Sequence, residues 1–515
     1  MKKLIAIVFF AFGSLTILAQ EKILIQTNDI IAGRIDRINK DINAKEYIFP
    51  ERIEDSFIDT TTNFITIQLR GLSKNGKWLN NSGNVILYDL SAKQEKWVKK
   101  INYQQSRIKQ FDNVMIETVG EKSYCLNSES GENLWEVKNA INYVNPKQKI
   151  GIGYKYKTMT GYSNNLEGIN LTSGNPLWKR EINREYSWND ILSLNDSVIL
   201  IAAAGLHSLN LKNGNGWDYN AITGDKDYKE TIAANAIGAA LGVLTGTLVM
   251  TTGYNLVRDI VSNILVDSPN IYFASKEKIT CLDDNGQIIW TFPFAKNLAS
   301  KSAIFIKDST LCMINYGYAF MGNRQVKYGT PFIASFSRKT GKQLFLSEIN
   351  GTKDQIIGYK FDKDDVFLVF KDRVAKYSLI DGKVLLEKSV DIATNGELRY
   401  FVGSRTYIKT DSLYQSIDVS NKTSHFLYTK SGKILVMNED LNVTDQVDYE
   451  QFYTYYLKTK NYKFLSKGNK TIVIDNKNKK IGDLKVSGRA ILIGSKLYDI
   501  QENSFLELDI SELIK

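Results

Sequence analysis

A short segment that recurs along the chain constrains its fold more than any other feature of the sequence. Each copy joins the end of an apolar stretch, a polar turn that usually holds a glycine, and a large apolar residue. The copies are YDLSAKQEKW (88–97), YCLNSESGENLW (124–135), EGINLTSGNPLW (167–178), HSLNLKNGNGW (207–217), TCLDDNGQIIW (280–290), ASFSRKTGKQLF (334–345) and KYSLIDGKVLLE (376–387). Such turns are typical of β-hairpins. Stacked copies can bury the large residue, which one hairpin cannot do alone.

The spacing of these copies predicts a β-propeller. Their closing residues lie 38, 43, 39, 73, 55 and 41 residues apart. A base period of about 40 residues is the size of a four-stranded blade. We therefore expect an all-β protein with a propeller of seven or eight blades over 61–515. The pattern weakens beyond residue 390, which leaves the blade number open. Residues 21–60 form an irregular lead-in that could supply a closing strand.

Two copies carry a resemblance to a known family. LNSESGENLW (126–135) and LDDNGQIIW (282–290) resemble the LDxxTGxxxW repeat of quinoprotein-like (PQQ-repeat) β-propellers. That family includes quinone-dependent alcohol dehydrogenases and the propeller lipoprotein of the bacterial outer-membrane-protein assembly machine. The resemblance covers roughly residues 80–390. It implies that Trp135, Trp178 and Trp290 dock one blade against the next.

The resemblance implies one enzymatic alternative, a PQQ-dependent dehydrogenase. Enzymes of the family hold a calcium-type ion and place adjacent cysteines under the quinone. Here the three cysteines, Cys125, Cys281 and Cys312, are far apart in sequence, and we expect buried free thiols. Two histidines, His207 and His425, do not favour a zinc site. We expect no catalytic residue, metal or cofactor, with PQQ and calcium only if the dehydrogenase alternative holds.

The N-terminus and the charge distribution bear on location and partners. Residues 1–20 are typical of a secretory signal peptide, because Lys2 and Lys3 precede an apolar stretch, Leu4–Ala19. We therefore expect export to the periplasm or cell envelope, or secretion. The net charge of +10 comes from 66 basic and 56 acidic residues without a long basic run. This dispersion does not favour a nucleic-acid partner.

An uncharged run from Thr231 to Val257 lies within the 73-residue interval and accounts for most of its extra length. Its glycines are spaced by four, which places them on one helix face and allows another backbone to approach closely. The candidate interaction surface consists of Gly238, Gly242, Gly246, Leu241 and Leu248. One membrane span here would divide the propeller ring between two compartments. We therefore expect the run to pack on the propeller, or to contact a membrane surface or a partner helix.

The residues after this run predict a second, amphipathic helix. Its apolar side would hold Leu256, Val257, Ile260, Val261, Ile264 and Leu265. Its polar side would hold Arg258, Asp259, Ser262 and Asn263. The sequence therefore predicts an apolar helical hairpin at 225–267, inserted between two blades. A smaller insertion, 316–329, accounts for the extra length of the 55-residue interval.

The function that the sequence favours is binding. Propellers present broad loop faces on a rigid scaffold, and loops on such scaffolds carry function. We expect a non-enzymatic scaffold for protein–protein interaction or assembly, with other envelope proteins as partners. The alternatives are the PQQ-dependent dehydrogenase and a glycan- or peptide-binding propeller.

Overall fold

Antiparallel β-strands form almost all of the regular structure in the computed structural model, which describes residues 23, 25–59, 61–111, 114–157, 161–227, 255–349, 355–417 and 424–514. Eight four-stranded sheets follow one another along the chain, and we number them as blades 1 to 8. The protein is thus an all-β propeller, as the repeat predicts.

Blades 1 to 4 are continuous in sequence. Blade 1 contains β3 (Arg52–Asp59), β4 (Phe64–Leu72), β5 (Leu79–Asp89) and β6 (Gln94–Asn102). Blade 2 contains β7 (Ser106–Phe111), β8 (Val114–Val119), β9 (Lys122–Leu126) and β10 (Asn133–Val137). Blade 3 contains β11 (Asn139–Asn145), β12 (Ile150–Lys157), β13 (Gly161–Asn170) and β14 (Pro176–Glu181). Blade 4 contains β15 (Asp190–Ser193), β16 (Val198–Ala202), β17 (Gly205–Asn210) and β18 (Asp218–Asn220).

Blades 5 to 8 include two blades that are interrupted by insertions. Blade 5 contains β21 (Leu265–Asp267), β22 (Asn270–Ala274), β23 (Lys278–Leu282) and β24 (Ile288–Pro293). Blade 6 contains β25 (Ser302–Lys307), β26 (Thr310–Asn315), β29 (Phe332–Ser337) and β30 (Gln343–Glu348). Blade 7 contains β31 (Gly358–Asp362), β32 (Asp365–Val369), β33 (Arg373–Ser378) and β34 (Val384–Ser389). Blade 8 contains β35 (Leu398–Phe401), β38 (Ser424–Thr429), β39 (Ile434–Asn438) and β40 (Val443–Val447).

Two further sheets complete the described strands. The accessory sheet contains β19 (Gly224–Asp227), β20 (Asn255–Arg258), β27 (Tyr318–Met321) and β28 (Arg324–Lys327). The eleven-stranded closing sheet contains, in order, β37 (Tyr414–Ser416), β36 (Thr406–Lys409), β41 (Phe452–Lys458), β42 (Tyr462–Lys467), β43 (Lys470–Asp475), β44 (Lys480–Leu484), β1 (Gln26–Ile35), β2 (Lys40–Ile48), β47 (Ser504–Asp509), β46 (Lys496–Ile500) and β45 (Ile491–Ile493). The short helices are α1 (Ile392–Asn395), α2 (Ser511–Ile514) and the 3-10 turns Asp36–Ile38 and Tyr449–Gln451.

The core consists of apolar layers between consecutive blades. Val85 and Trp97 of blade 1, for example, pack with Ile108 and Met115 of blade 2. The central strands are buried on both faces, so they are apolar at nearly every position, as in Val198–Ala202. Burial on two faces explains why these strands lack the alternation of a half-exposed sheet.

The N-terminal strands close the ring. β2 pairs with β47, where Ala44 lies opposite Leu508. Phe505 of β47 stacks on Tyr47 at 4.3 Å between ring centroids and contacts Tyr88 of blade 1 at 5.7 Å. Residues 26–48 therefore form a regular hairpin rather than an irregular lead-in, and blade 1 already begins at Arg52.

The predicted number of seven or eight blades is not confirmed. Within the described ranges, the closing sheet adds two runs of four strands to the eight separate blades: β41–β44, and β45–β47 with β2. The turns in these runs lack the full turn-and-ring pattern, so the repeat alone leaves the number of such runs open.

The predicted second helix is wrong. Asn255–Arg258 is strand β20, and Leu265–Asp267 is strand β21. Between them, Val261 forms an antiparallel bridge with Ser275, and Ser262 donates its N–H to the Ala274 carbonyl at 2.9 Å. Pairing with neighbouring strands outweighs the helical periodicity of this segment. The glycine-rich part of the predicted hairpin, 228–254, lies outside the described residues.

The connections between strands emerge on two opposite faces of the propeller. Successive strands of a blade run in opposite directions, so the second-to-third and blade-to-blade connections share one face. The first-to-second and third-to-fourth turns share the other. Segment 221–264 follows the last strand of blade 4, and segment 316–331 follows the second strand of blade 6. Both insertions therefore leave from the same face, which we call the insert face; the opposite one is the turn face.

Candidate functional site

The two insertions meet in the accessory sheet. β19 and β20 form a hairpin in which Gly224 lies opposite Arg258 and Asp227 lies opposite Asn255. β20 then pairs with β27, which belongs to the insertion of blade 6. Two segments that are separated by about sixty residues in sequence thus build one sheet on the insert face. Val257, Ile260, Ala319, Val326 and Tyr328 form its apolar core.

A buried amide fixes the base of the blade 6 insertion. Asn315 is fully buried, and its Oδ1 accepts from the Ser300 N–H at 2.7 Å and from the Ser300 hydroxyl at 3.0 Å. Its Nδ2 donates to the carbonyls of Leu298 at 3.3 Å and Thr330 at 2.6 Å. The amide therefore links both ends of the insertion to the connection from blade 5. This network holds the β27–β28 hairpin over the insert face.

Polar contacts fix the other insertion across three blades. Arg258 donates to the Ser187 hydroxyl at 3.0 Å, in the connection between blades 3 and 4. Lys226 pairs with Glu185 in the same connection. Lys301, at the start of blade 6, pairs with Asp259. The accessory sheet is therefore attached to the rigid ring on both sides.

The edge strand β19 of the accessory sheet carries a charged and partly buried carboxylate, Asp225. Asp225 accepts from the Tyr328 hydroxyl at 2.7 Å and pairs with Lys276 of blade 5 at 3.1 Å. Burial opposes the charged form of Asp225, but these hydrogen bonds outweigh it and lower the pKa of the carboxyl. A cleft of about 420 Å³ lies beside it, between Lys276 and Phe294.

A row of aromatic rings extends from the accessory sheet to blade 7. The rings are Phe320, Tyr318, Tyr316, Tyr359, Phe361 and Phe305, in order of contact. Neighbouring centroids are between 4.2 Å (Phe305 to Phe361) and 6.3 Å (Tyr316 to Tyr359) apart. All six rings are incompletely buried, and Phe361 is 40% exposed. The row joins the accessory sheet to the first strands of blades 6 and 7, and runs along these strands from the insert face towards the turn face.

The three tryptophans singled out by the sequence lie on the turn face. Each ring extends from the last strand of one blade to the third-to-fourth turn of the next. The indole N–H groups of Trp135, Trp178 and Trp290 donate to the carbonyls of Leu171 at 2.8 Å, Leu211 at 2.7 Å and Arg338 at 2.8 Å, respectively. Each ring covers a glycine with positive φ in that turn; these are Gly174, Gly214 and Gly341.

Sequence reasoning missed three rings with the same contact. Trp97, Trp217 and Phe345 lie on the turn glycines of blades 2, 5 and 7, which are Gly131, Gly286 and Gly382. The sequence does contain a signal for these three rings, because each of them is the large residue that ends a copy of the repeat. The glycines matter because a Cβ at Gly131 would lie 2.6 Å from the Trp97 ring.

The proposed glycine-lined surface cannot be placed. Gly238, Gly242, Gly246, Leu241 and Leu248 all lie outside the described residues. What the structure does place are the two strands that flank them. Because Asp227 and Asn255 are paired, segment 228–254 leaves and re-enters the accessory sheet at the same end.

The thiols and imidazoles are buried in the blades. Cys125, Cys281 and Cys312 are free thiols, and burial raises the pKa of Cys125 and Cys281 to about 11. Both ring nitrogens of His207 have acceptors, namely Asp218 Oδ1 at 2.6 Å and the Ala203 carbonyl at 2.8 Å. The described ranges hold no group of three or more His, Cys, Asp or Glu residues suited to a metal ion. Nor do they hold a helix long and apolar enough to cross a membrane.

Comparison with known proteins gives distant likenesses only. No family model matches the chain, and no curated protein matches it. Among solved structures, BamB from Moraxella catarrhalis is 12% identical, with 78% of this chain and 96% of that chain covered and a TM-score of 0.32. The computationally designed Ika8 protein is 10% identical (74% and 97% covered, TM-score 0.31). A eukaryotic initiation factor is 11% identical (78% and 90% covered, TM-score 0.34).

Proposed function

We propose that this protein is an exported, non-enzymatic scaffold of the cell envelope that docks a partner protein on its insert face. The docking surface comprises the accessory sheet, the adjoining rings Tyr316, Tyr318 and Phe320, and segment 228–254. The blades supply a rigid support, and the six ring-on-glycine contacts hold consecutive blades in place on the opposite face.

The observation that carries this proposal is the construction of the accessory sheet from two independent insertions. A blade needs only four strands, and none of the strands that the structure describes in the two insertions belongs to a blade. Both insertions are nevertheless hydrogen-bonded to each other and fixed to blades 3 to 6 by buried or paired polar groups. A rigid platform that holds both ends of an uncharged segment fits a binding role, because contiguous apolar surface on a soluble fold marks interaction sites.

The partner that fits this surface is an envelope protein with an apolar helix. The spacing of Gly238, Gly242 and Gly246 suits close approach of a second helix. Direct contact with a lipid surface is the competing outcome. The dehydrogenase alternative predicts that added PQQ and calcium bind tightly and support dye reduction, which the scaffold proposal does not.

The experiment replaces segment 228–254 by Asn-Gly in the full-length chain. Because Asp227 and Asn255 are already paired, a two-residue turn closes the β19–β20 hairpin without disturbing its register. A matched control makes the same Asn-Gly replacement at 73–78. This connection also lies on the insert face, in blade 1, and is flanked by the paired residues Leu72 and Leu79. Both variants should remain folded by circular dichroism.

Cross-linked pull-down from native envelopes then separates the outcomes. We expect a partner that the wild type and the 73–78 variant retain and that the 228–254 variant loses. Equal recovery by all three chains contradicts the proposal. Flotation of the wild type, but not the 228–254 variant, with protein-free vesicles assigns the segment to a lipid surface and likewise contradicts a protein partner.

A further inference from the structure

A second surface on the insert face has the features of a ligand site. A cleft of about 610 Å³ opens where blade 1 meets the last strands of the closing sheet. This volume is within the range of small-molecule and peptide sites. One wall is β3 of blade 1, and the other consists of β45, β46 and the connection 485–490. The cleft is far in sequence from both insertions and independent of the function proposed for them.

The walls of this seam cleft are fixed by buried polar contacts. Asp499 is fully buried and accepts from the Ser487 N–H at 2.9 Å and the Ser487 hydroxyl at 2.6 Å. The Ser487 hydroxyl also accepts from the Arg489 N–H at 3.2 Å. On the other wall, the Ile53 N–H donates to the Glu502 carbonyl at 2.8 Å. The backbone at both walls is thus held before any ligand arrives, which reduces the entropy cost of binding.

Among the residues that the structure describes, two opposite charges in the cleft have no ion-pair partner. Arg52 pairs with Glu502 at 3.6 Å, and Glu54 pairs with Arg70 at 3.4 Å. Arg489 is exposed, and within the described ranges its guanidinium contacts no carboxylate. Asp55 is exposed on the facing wall, and its carboxylate accepts the N–H of Ser56 at 2.8 Å.

We propose that the seam cleft binds a short peptide with free termini. The ligand carboxylate pairs with Arg489, whose planar guanidinium suits bidentate contact with a carboxylate. The ligand ammonium pairs with Asp55. Ser56 and Asn469 supply polar contacts for the peptide groups, and Tyr498 also lines the cleft. A ligand in this position bridges blade 1 and the closing sheet, so it also stabilises the closed ring by mass action.

The test is titration calorimetry of the full chain with trialanine, N-acetyl-trialanine and trialanine amide. We expect binding of trialanine and a loss of about tenfold or more in affinity for each blocked peptide, as for removal of one charge-assisted hydrogen bond. Arg489→Gln should bind trialanine and its amide equally, and Asp55→Asn should bind trialanine and its acetylated form equally. Lys485→Gln, which likewise removes one positive charge from the same connection, serves as the control and should behave as wild type.

Several outcomes would overturn this assignment. One is the absence of binding heat for wild type at millimolar trialanine. Another is equal affinity of wild type for the free and blocked peptides, or an effect of Lys485→Gln as large as that of Arg489→Gln. Folding is monitored by melting temperature, which trialanine should raise for the wild type. Arg489→Gln leaves the accessory sheet intact, so partner capture through segment 228–254 should continue in this variant.

Discussion

At the scale of single residues, contacts between rings and glycines connect the repeat to the ring. The glycine of each turn has two roles, since it adopts positive φ and leaves room for the ring of the preceding blade. Gly174 shows both, with φ of +74° and the Trp135 ring directly against it. The repeat of Gly and a large residue four positions later therefore reflects contacts between neighbouring blades: the glycine contacts the ring of the preceding blade, and the large residue contacts the glycine of the next.

We predict that Gly174→Ala destabilises the protein more than Gly120→Ala. Both glycines have positive φ, which costs an L residue about 1–2 kcal/mol. A Cβ at Gly174 would also lie 2.7 Å from Trp135 Cγ, whereas nothing lies within 4 Å of a Cβ at Gly120. We expect an additional loss of about 1–3 kcal/mol at Gly174 from overpacking. Urea unfolding of both variants measures the difference, and equal losses would contradict it.

We predict that His425 makes stability fall in mild acid. His425 is 2% exposed, neither ring nitrogen has a hydrogen-bond partner, and burial lowers its pKa to about 4. The unfolded chain takes up this proton near pH 6.5, so stability is lost as pH falls from about 6.5 to about 4, by about 3 kcal/mol. In His425→Phe this contribution should vanish. Chemical unfolding at pH 7 and pH 4.5 measures the free energy of unfolding of both proteins. If the variant loses as much stability as the wild type between these pH values, His425 is not the cause of the loss.

At the scale of elements, the two insertions depend on each other. β20 is an edge strand without β27, and β27 is part of an isolated hairpin without β20. A two-stranded hairpin is marginally stable on its own. The pairing of Val257 with Met321 therefore joins two marginal hairpins into one sheet with its own apolar core.

We predict that Asn315→Ala loosens the whole accessory sheet. The change leaves the donors and acceptors at Ser300, Leu298 and Thr330 without their buried partner, which costs about 1–3 kcal/mol for each unsatisfied group. Hydrogen exchange should accelerate in both β27 and β20, although β20 is far from Asn315 in sequence. Asn285→Ala, in an exposed turn, is the control. Faster exchange in β27 alone would show that the hairpins are not coupled.

At the scale of the whole molecule, closure depends on side-chain packing and on the first strands of the chain. Tyr47 of β2, Phe505 of β47 and Tyr88 of blade 1 meet in one aromatic group. Residues 49–51 link β2 directly to blade 1, whereas β2 and β47 lie at opposite ends of the chain, so the β2–β47 pairing and this aromatic group hold the ring closed. The ring resists opening only as long as that packing is intact.

We predict that Phe505→Ala opens the seam. Phe505 is fully buried, and such a truncation costs about 3–5 kcal/mol. Trp78→Ala, which removes a ring that is 73% exposed, should cost far less. Thermal unfolding, with limited proteolysis of the N-terminal strands, measures both variants. A Phe505→Ala variant as stable as the Trp78→Ala variant would show that the ring is closed by other contacts.

The sequence by itself determined the fold class and the blades that carry the repeat. Turn chemistry and the spacing of rings such as Trp135 and Trp178 are local properties, and each copy carries them in full. The same information located both insertions, because they lengthen the intervals between rings. It indicated hairpins at 471–485 and 496–510 but did not fix the number of four-stranded runs in the closing sheet, because their turns lack the full pattern.

Only the tertiary structure decided what the insertions and the chain ends do. The segment from Leu256 to Leu265 has a helical periodicity, yet it becomes strands because β27 and β22 offer backbone partners from elsewhere in the chain. The seam cleft likewise joins Asp55 and Arg489, which are more than 400 residues apart. Pairing between distant strands depends on which edges the fold brings together, and no local pattern of residues contains that information.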